Sequence, residues 1–441
     1  MKSGSVASLA AFAICMAAFS PAPVRAQSAP CLAVPAWFPH SQTKRPDSAQ
    51  FPANPSNCDF HQWAWQTFLW LTQPAANGEP RFLSFAGPES LRPAGTDKAA
   101  RMMPGLELAL SKSLDEYLQA GPDGILVDQN GRIVYYSIYI DDVFSKFTID
   151  NKLNTVAGLR GFDPNGVFPI DTLSLKAAWK IVGPNDNMSG YYTRKATINP
   201  LIKKGTDFYI DPSRTEDVTV ALVGFHIAGT VAHHAEMIWA SFENVANAPD
   251  VASLSTVTPD TVISDKDWTF YKAKTPFSAC NVNPAGSGTQ TLDEKTQKMS
   301  PVTQVCRLYP YGSGADKQSN AANIVSINAD VQKNLSDVWK NYFEVGAIWF
   351  DTGAGKPLQP NCAFQPGSLR CGVTVTGSTH LSNATIETFT QGQSVLDNCF
   401  ACHNTVQRFP PKADLDPLPG KNVAISHILN NLYFWLQQQA H

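Results

Sequence analysis

The chain has 441 residues, 43% of them hydrophobic and 10% aromatic, with 34 Lys and Arg against 37 Asp and Glu and a formal net charge of −3. That composition is globular, not disordered. Without a basic stripe it argues against nucleic acid or an anionic membrane as partner.

Taken in chain order, the first feature is a secretory leader. Lys2 supplies a positive n-region, Val6 to Phe19 is an apolar run too short to span a bilayer, and Val24-Arg25-Ala26 fits the small-residue cleavage rule. Ile14 before Cys15 and Pro30 before Cys31 stand where lipoprotein processing needs a small residue, which argues against a lipid anchor. Residues 1–26 are therefore expected to be a signal peptide and the mature chain, from Gln27, to be exported to the periplasm. Without Lys2 and Arg25 it carries 32 basic and 37 acidic residues, net −5. The roughly 415 mature residues suit two or three domains. No later stretch approaches ~20 apolar residues, so no membrane span is expected.

Asp59 to Leu71 (DFHQWAWQTFLWL) places Phe60, Trp63, Thr67 and Trp70 at helical spacing and is stopped by Pro74. Ile125 to Val127 and Ile133 to Ile140 flank Asn130-Gly131, which predicts a hairpin. Leu173 to Val182 and Val218 to Ile227 read as strands, and Met237 to Val245 as another candidate. From Ala246 to about Asn320 the composition predicts an irregular excursion containing Cys280 and Cys306. Asn328 is expected to cap a helix over Ala329 to Tyr342, followed by a strand over Phe343 to Phe350. Gln393 to His403 reads as helical, and Ser426 as the cap of a last helix over His427 to Gln438. The expected class is α+β: a mixed body with antiparallel strands over residues 27–390, then a short helical haem-binding segment over 391–441.

The haem expectation comes from Cys399-Phe400-Ala401-Cys402-His403, a C-x-x-C-H motif. Two thiols one helical turn apart can each add to a vinyl group along one porphyrin edge, and the adjacent His is aimed at the iron. Cys399 and Cys402 are thus the candidate thioether donors of a single haem c, and His403 the proximal iron ligand. A C-x-x-C disulfide or half of a zinc site is the competing reading. Zinc usually needs a second close ligand pair, and a redox C-x-x-C a thioredoxin-like βαβ unit, neither of which the sequence offers. The other six mature cysteines, Cys31, Cys58, Cys280, Cys306, Cys362 and Cys371, form an even set in a disulfide-permissive compartment. Of fifteen pairings, nearest-neighbour closure is the expected one.

At this motif the chain resembles the c-type cytochromes, which implies covalent haem and a redox role. Thr385 to Gln391 (TIETFTQ) and Ile238 to Val245 (IWASFENV) also resemble stretches of large, uncharacterised bacterial cytochrome-c-like proteins. The chain departs from the small cytochromes in placing its motif near its end, and in having no methionine after Met299 to serve from the tail as a ligand. The 38 residues after His403 cannot wrap a haem alone, so the body must build most of the pocket. For the sixth iron ligand His427 is the first candidate and His380 the second, His427 gaining from a helix start that favours its neutral form. His233, His234, Glu236 and His226 could instead line a distal pocket, or be ordinary loop and strand-end residues. A carbonyl in the Phe409-Pro410-Pro411 loop is expected to accept from His403 Nδ1, and Arg408 or Lys412 to pair with a haem propionate.

Three functions remain in view. One is one-electron transfer to a redox partner protein through iron held by His403 and His427. Another is a haem-dependent oxidoreductase of peroxidase or oxygenase type with an open sixth position. The third is a haem-based redox or gas sensor.

Overall fold

In the computed structural model the described residues are 1, 30–93, 116–121, 124–285, 287–312, 317–351, 358–364, 370–393, 398–410 and 414–440. The expected leader, apart from Met1, and Lys412 lie outside them.

The strands are β1 (Val134–Ile140), β2 (Leu173–Ile181), β3 (Thr193–Ile198), β4 (Leu201–Lys204), β5 (Asp207–Ile210), β6 (Glu216–Val231), β7 (His234–Asn244), β8 (Thr291–Asp293), β9 (Lys298–Ser300), β10 (Tyr342–Asp351) and β11 (Thr374–Gly377). The helices are α1 (Asn57–Thr72), α2 (Asp142–Asp150), α3 (Val156–Gly161), α4 (Lys317–Asn334), α5 (Cys399–Cys402) and α6 (His427–Ala440). One seven-stranded sheet runs β1-β2-β6-β7-β10-β11, with β3 also beside β6. Its pairings are all antiparallel, so the fold is α+β.

Strand alternation divides this sheet into two unlike faces. In β2, Leu173, Leu175, Ala177 and Trp179 enter the first core, with Phe225, Ile227, Ile238, Ala240 and Phe242 from the neighbouring strands. Helices α1 and α4 cover that face. A capping box of Ser56 and Asp59 starts α1, and its Trp65 and Phe68 pack on Phe242 at 5.0 and 4.3 Å between ring centroids. The opposite face carries a second core that includes Ile140, Ala228, Met237, Ile348 and Phe350. The tail completes this core: Cys399, Phe400, Leu429, Leu432 and Tyr433 belong to the same cluster, and α6 packs on α3. The body and the C-terminal segment therefore share one hydrophobic interior.

The predicted hairpin is present, with Gly131 at φ +79 and Val127 bridged to Ile133. The helix expected over 329–342 is displaced. It runs Lys317–Asn334, and Asn328 lies within it, not at its start. Asn328 Oδ1 accepts from Trp65 Nε1 at 2.9 Å and from the Glu344 amide at 3.0 Å, so its carbonyl joins elements instead of capping one. The Asn- and Ser-rich composition before it masked Ile324 and Ile327, which are buried at helical spacing with Val331. Helical structure around the motif is also shorter than expected, being confined to Cys399–Cys402 among the described residues.

The three nearest-neighbour cysteine pairs are the pairs that form. Their Cα separations are 5.4 Å (Cys31–Cys58), 5.7 Å (Cys280–Cys306) and 6.2 Å (Cys362–Cys371), within the range a disulfide spans. Among the described residues no helix is long and apolar enough to cross a membrane.

Candidate functional site

Asn398 opens the motif: its side chain accepts from the Ala401 amide at 3.1 Å, and the His403 amide bonds Cys399 O at 2.8 Å. This single turn is fastened to the body by Thr405, whose Oγ1 accepts from the Cys362 amide at 2.9 Å, and by Phe400, 4.4 Å from Phe350 between ring centroids. Cys399 is buried, Cys402 is exposed, and neither is in a disulfide. Both line one lobe of a cleft, with His403 and His427, and Cys399 and His403 also line the adjoining lobe. The two lobes open to solvent and meet at Cys399, His403 and His427.

The orientation of His403 is over-determined. Its Nδ1 lies 2.9 Å from Ile425 O, which accepts its proton. One ring face meets Trp239 at 4.1 Å between centroids, and His427 stacks on it at 3.9 Å with the planes inclined by 21°. With Nδ1 protonated, Nε2 is the nitrogen bearing a lone pair. Burial, with His427 adding to it, holds the imidazole pKa well below its ordinary range. The ring therefore stays neutral, as a metal ligand must be. The acceptor is Ile425 O and not the expected Phe409-Pro410-Pro411 loop, because the chain returns past His403 just before α6.

His427 lies beside His403. Its Nε2 donates to Cys402 O at 3.0 Å, which leaves Nδ1 as its unprotonated nitrogen. Arg408 is committed to the same turn, donating to Cys402 O at 2.8 Å and Asn404 O at 2.9 Å. It caps the carbonyl end of the motif.

The body supplies the cleft floor from the second sheet face: Tyr136 and Ile138 of β1, Ser174 and Lys176 of β2, His226 of β6 and Met237 of β7. A bulge between β6 and β7 re-aims Met237, which sits at φ +71 and is fully buried. The rim comes from residues 116–121, joined to the tail by the Glu387 and Phe389 amides bonding Gln119 O and Ala120 O, each at 2.7 Å. The stretches 238–245 and 385–391 contribute Trp239 and Glu387 to the cleft lining, and beside them buried Glu243 Oε1 accepts from the Ala384 amide at 2.6 Å.

The other candidate histidines separate. His226 reaches the cleft. His233 is the exposed corner of the β6–β7 hairpin at φ +70. His234 is buried against Phe51 and Phe60, its Nδ1 2.8 Å from Glu236 Oε1, which also accepts from the Phe350 amide. His233, His234 and Glu236 thus serve the β6–β7–β10 junction and do not line the cleft. His380 stacks on Tyr309 at 5.1 Å and is likewise away from the cleft lining. Sequence reasoning missed Lys176, Trp239, Gln119 and Glu387. For Lys176 a signal existed, in the Leu-Ser-Leu-Lys alternation of β2, which declares one polar face.

Burial pushes the Cys399 thiol pKa upward, and desolvation raises that of Cys402 as well. Among the described residues no group of three or more His, Cys, Asp or Glu side chains could hold a metal ion.

Burial also lowers His226 and His427 to about 4. Between pH 6.5 and that value the unfolded chain binds protons that the folded chain refuses, so stability falls as the pH falls. The slope is at most ~1.4 kcal/mol per pH unit for each group, less the screening from solvent in the cleft. His427→Gln should flatten the dependence of the urea midpoint between pH 6.5 and 5 by close to one proton. Equal slopes in variant and wild type would contradict the assignment of His427 as a group kept neutral by folding.

The chain matches no known protein family, no curated protein and no solved structure.

Proposed function

We propose that this protein is an exported, periplasmic monohaem c-type cytochrome that transfers single electrons to or from a redox partner protein. Cys399 and Cys402 would hold the porphyrin through thioethers, and His403 Nε2 would ligate the iron. The observation that carries this reading is a neutral imidazole, its lone-pair nitrogen free, set beside two unbonded thiols on an open cleft. Haem supplies one-electron redox chemistry when bound. The chain's own part is to fix the His403 ring between Trp239 and His427, hold its Nδ1 proton on Ile425 O, and wall the cleft with the body's sheet.

The stacking of His427 favours a second reading. An imidazole lone pair lies in its ring plane, so two rings stacked at 3.9 Å with planes inclined by 21° direct their lone pairs alongside each other and not toward a common point between them. Ligation by His427 would require it to leave the stack and release Cys402 O. If it stays, the sixth position is open, as in a haem enzyme or gas sensor.

The test is the absorption spectrum of the matured protein. A low-spin ferric spectrum unaltered by cyanide, azide or CO supports the electron carrier with His427 swung across. A high-spin spectrum that these ligands change supports the open position. Colourless matured protein overturns both.

A further inference from the structure

On the cleft floor Lys176 and His226 are direct cross-strand neighbours in the β2–β6 register, a placement that brings their Cβ atoms about 5 Å apart. Both line the lobe that contains His403. Which His226 nitrogen carries the proton follows from its neighbour. Asn383 Oδ1 accepts from the Thr385 and Ile386 amides, each at 2.8 Å, so its orientation is fixed. Its Nδ2 must then face His226 Nε2, 3.0 Å away. Nε2 accepts, and Nδ1 bears the hydrogen. Among the described residues that N–H has no hydrogen-bond partner. Lys176 Nζ has three donors: Gln119 Oε1 takes one at 2.6 Å, while Glu387 Oε1 forms an ion pair with Nζ at 3.7 Å that is too long to be a hydrogen bond. Glu116, the other carboxyl of this lobe, accepts from the Tyr117 and Leu118 amides, and burial pushes its pKa upward.

We propose that Lys176 Nζ and His226 Nδ1–H together bind a carboxylate group on the floor of the cleft. Two adjacent donors, one of them a cation whose ion pair with Glu387 leaves it N–H groups without a hydrogen bond among the described residues, suit the two oxygens of a carboxylate. Its source is either a propionate of the chain's own porphyrin, which rests on the cytochrome reading, or a free small carboxylate, which does not.

The experiment compares wild type, Lys176→Met and His226→Phe, each as matured protein and in a Cys399→Ala/Cys402→Ala background. Haem content is read first from the pyridine haemochrome spectrum. Haem-free matured wild type refutes the cytochrome reading and leaves calorimetry to decide this one. In the thiol-free background, titration with acetate should show binding that each floor variant weakens about tenfold or more. In matured protein, loss of acetate binding together with a reduction potential lowered by both variants assigns the carboxylate to the propionate. The His226→Phe effect is the informative one, since it removes a donor without changing charge. Acetate binding that persists after maturation, with the potential unmoved, assigns the site to a free carboxylate. Acetate affinity indifferent to both variants, or undetectable while neither variant moves the potential, overturns the proposal. If the thiol-free protein does not fold, the potentials of the matured variants decide it.

Discussion

Replacing Cys399 and Cys402 together by alanine should give an exported protein from which no haem survives acid–organic extraction, against one covalent haem per chain in the wild type. The whole effect lies in the loss of two bonds, because the turn itself persists. Its cap by Asn398, the His403 amide bond to Cys399 O and the Thr405 tie to Cys362 do not use either sulfur. The thiols contribute little else. Neither is bridged, and burial keeps both protonated. Haem-stained gels and the pyridine haemochrome band measure the outcome. Full covalent haem in the double variant would place the attachment elsewhere, and a matured wild type without haem would remove the cofactor altogether.

The second large effect concerns stability. Arg307→Met should lower the unfolding free energy by about 3–5 kcal/mol, the cost of leaving a buried charge without its partner. Glu243 is fully buried, and its Oε2 receives Arg307 Nη2 at 3.0 Å and Nε at 3.3 Å, while Arg307 Nη1 also holds Asp250 Oδ1 at 2.8 Å. Glu243 Oε1 meanwhile carries the Ala384 amide, so the pair links the 246–320 excursion, the sheet and the cleft rim. Urea unfolding of the single variant and of Arg307→Met/Glu243→Gln separates charge from shape. The double variant should regain a large part of the loss, because the uncompensated carboxylate is gone. A single-variant cost below about 1 kcal/mol would mean that solvent or another cation reaches Glu243.

Local patterns carried much of the fold. The aromatic spacing of residues 59–71, the Asn130-Gly131 turn, the Leu-Ser-Leu-Lys alternation that opens 173–182 and the β-branched residues of 218–227 each declare their element without outside help. Of the helix 317–334 only the end was legible, because the polar residues of its earlier part are committed to distant partners. Asn320 meets His61, and Asn328 meets Trp65, contacts that span more than 250 positions. The site divides in the same way. The motif and its His are contiguous and readable, whereas the floor is an encounter of strands whose register no single stretch of sequence states. Lys176 and His226 face each other only because β2 pairs with β6, and Trp239 finds His403 only once the tail folds back. The role of His427 was partly readable: its nearness to His403 follows from the intervening turn-forming residues, but stacking beside it, as against facing it, depends on where Ile425 and Cys402 present their carbonyls.

The shared interior of body and tail makes the sheet depend on the chain's last segment. Phe400, Leu429, Leu432 and Tyr433 share a cluster with Phe350, Ile348 and Ala228, so a product clipped ahead of the motif would bare a greasy sheet surface. Such a fragment would be conspicuous to proteases and prone to clumping. Only translation carried through to the last helix hides that surface, so truncated copies are cleared before they accumulate.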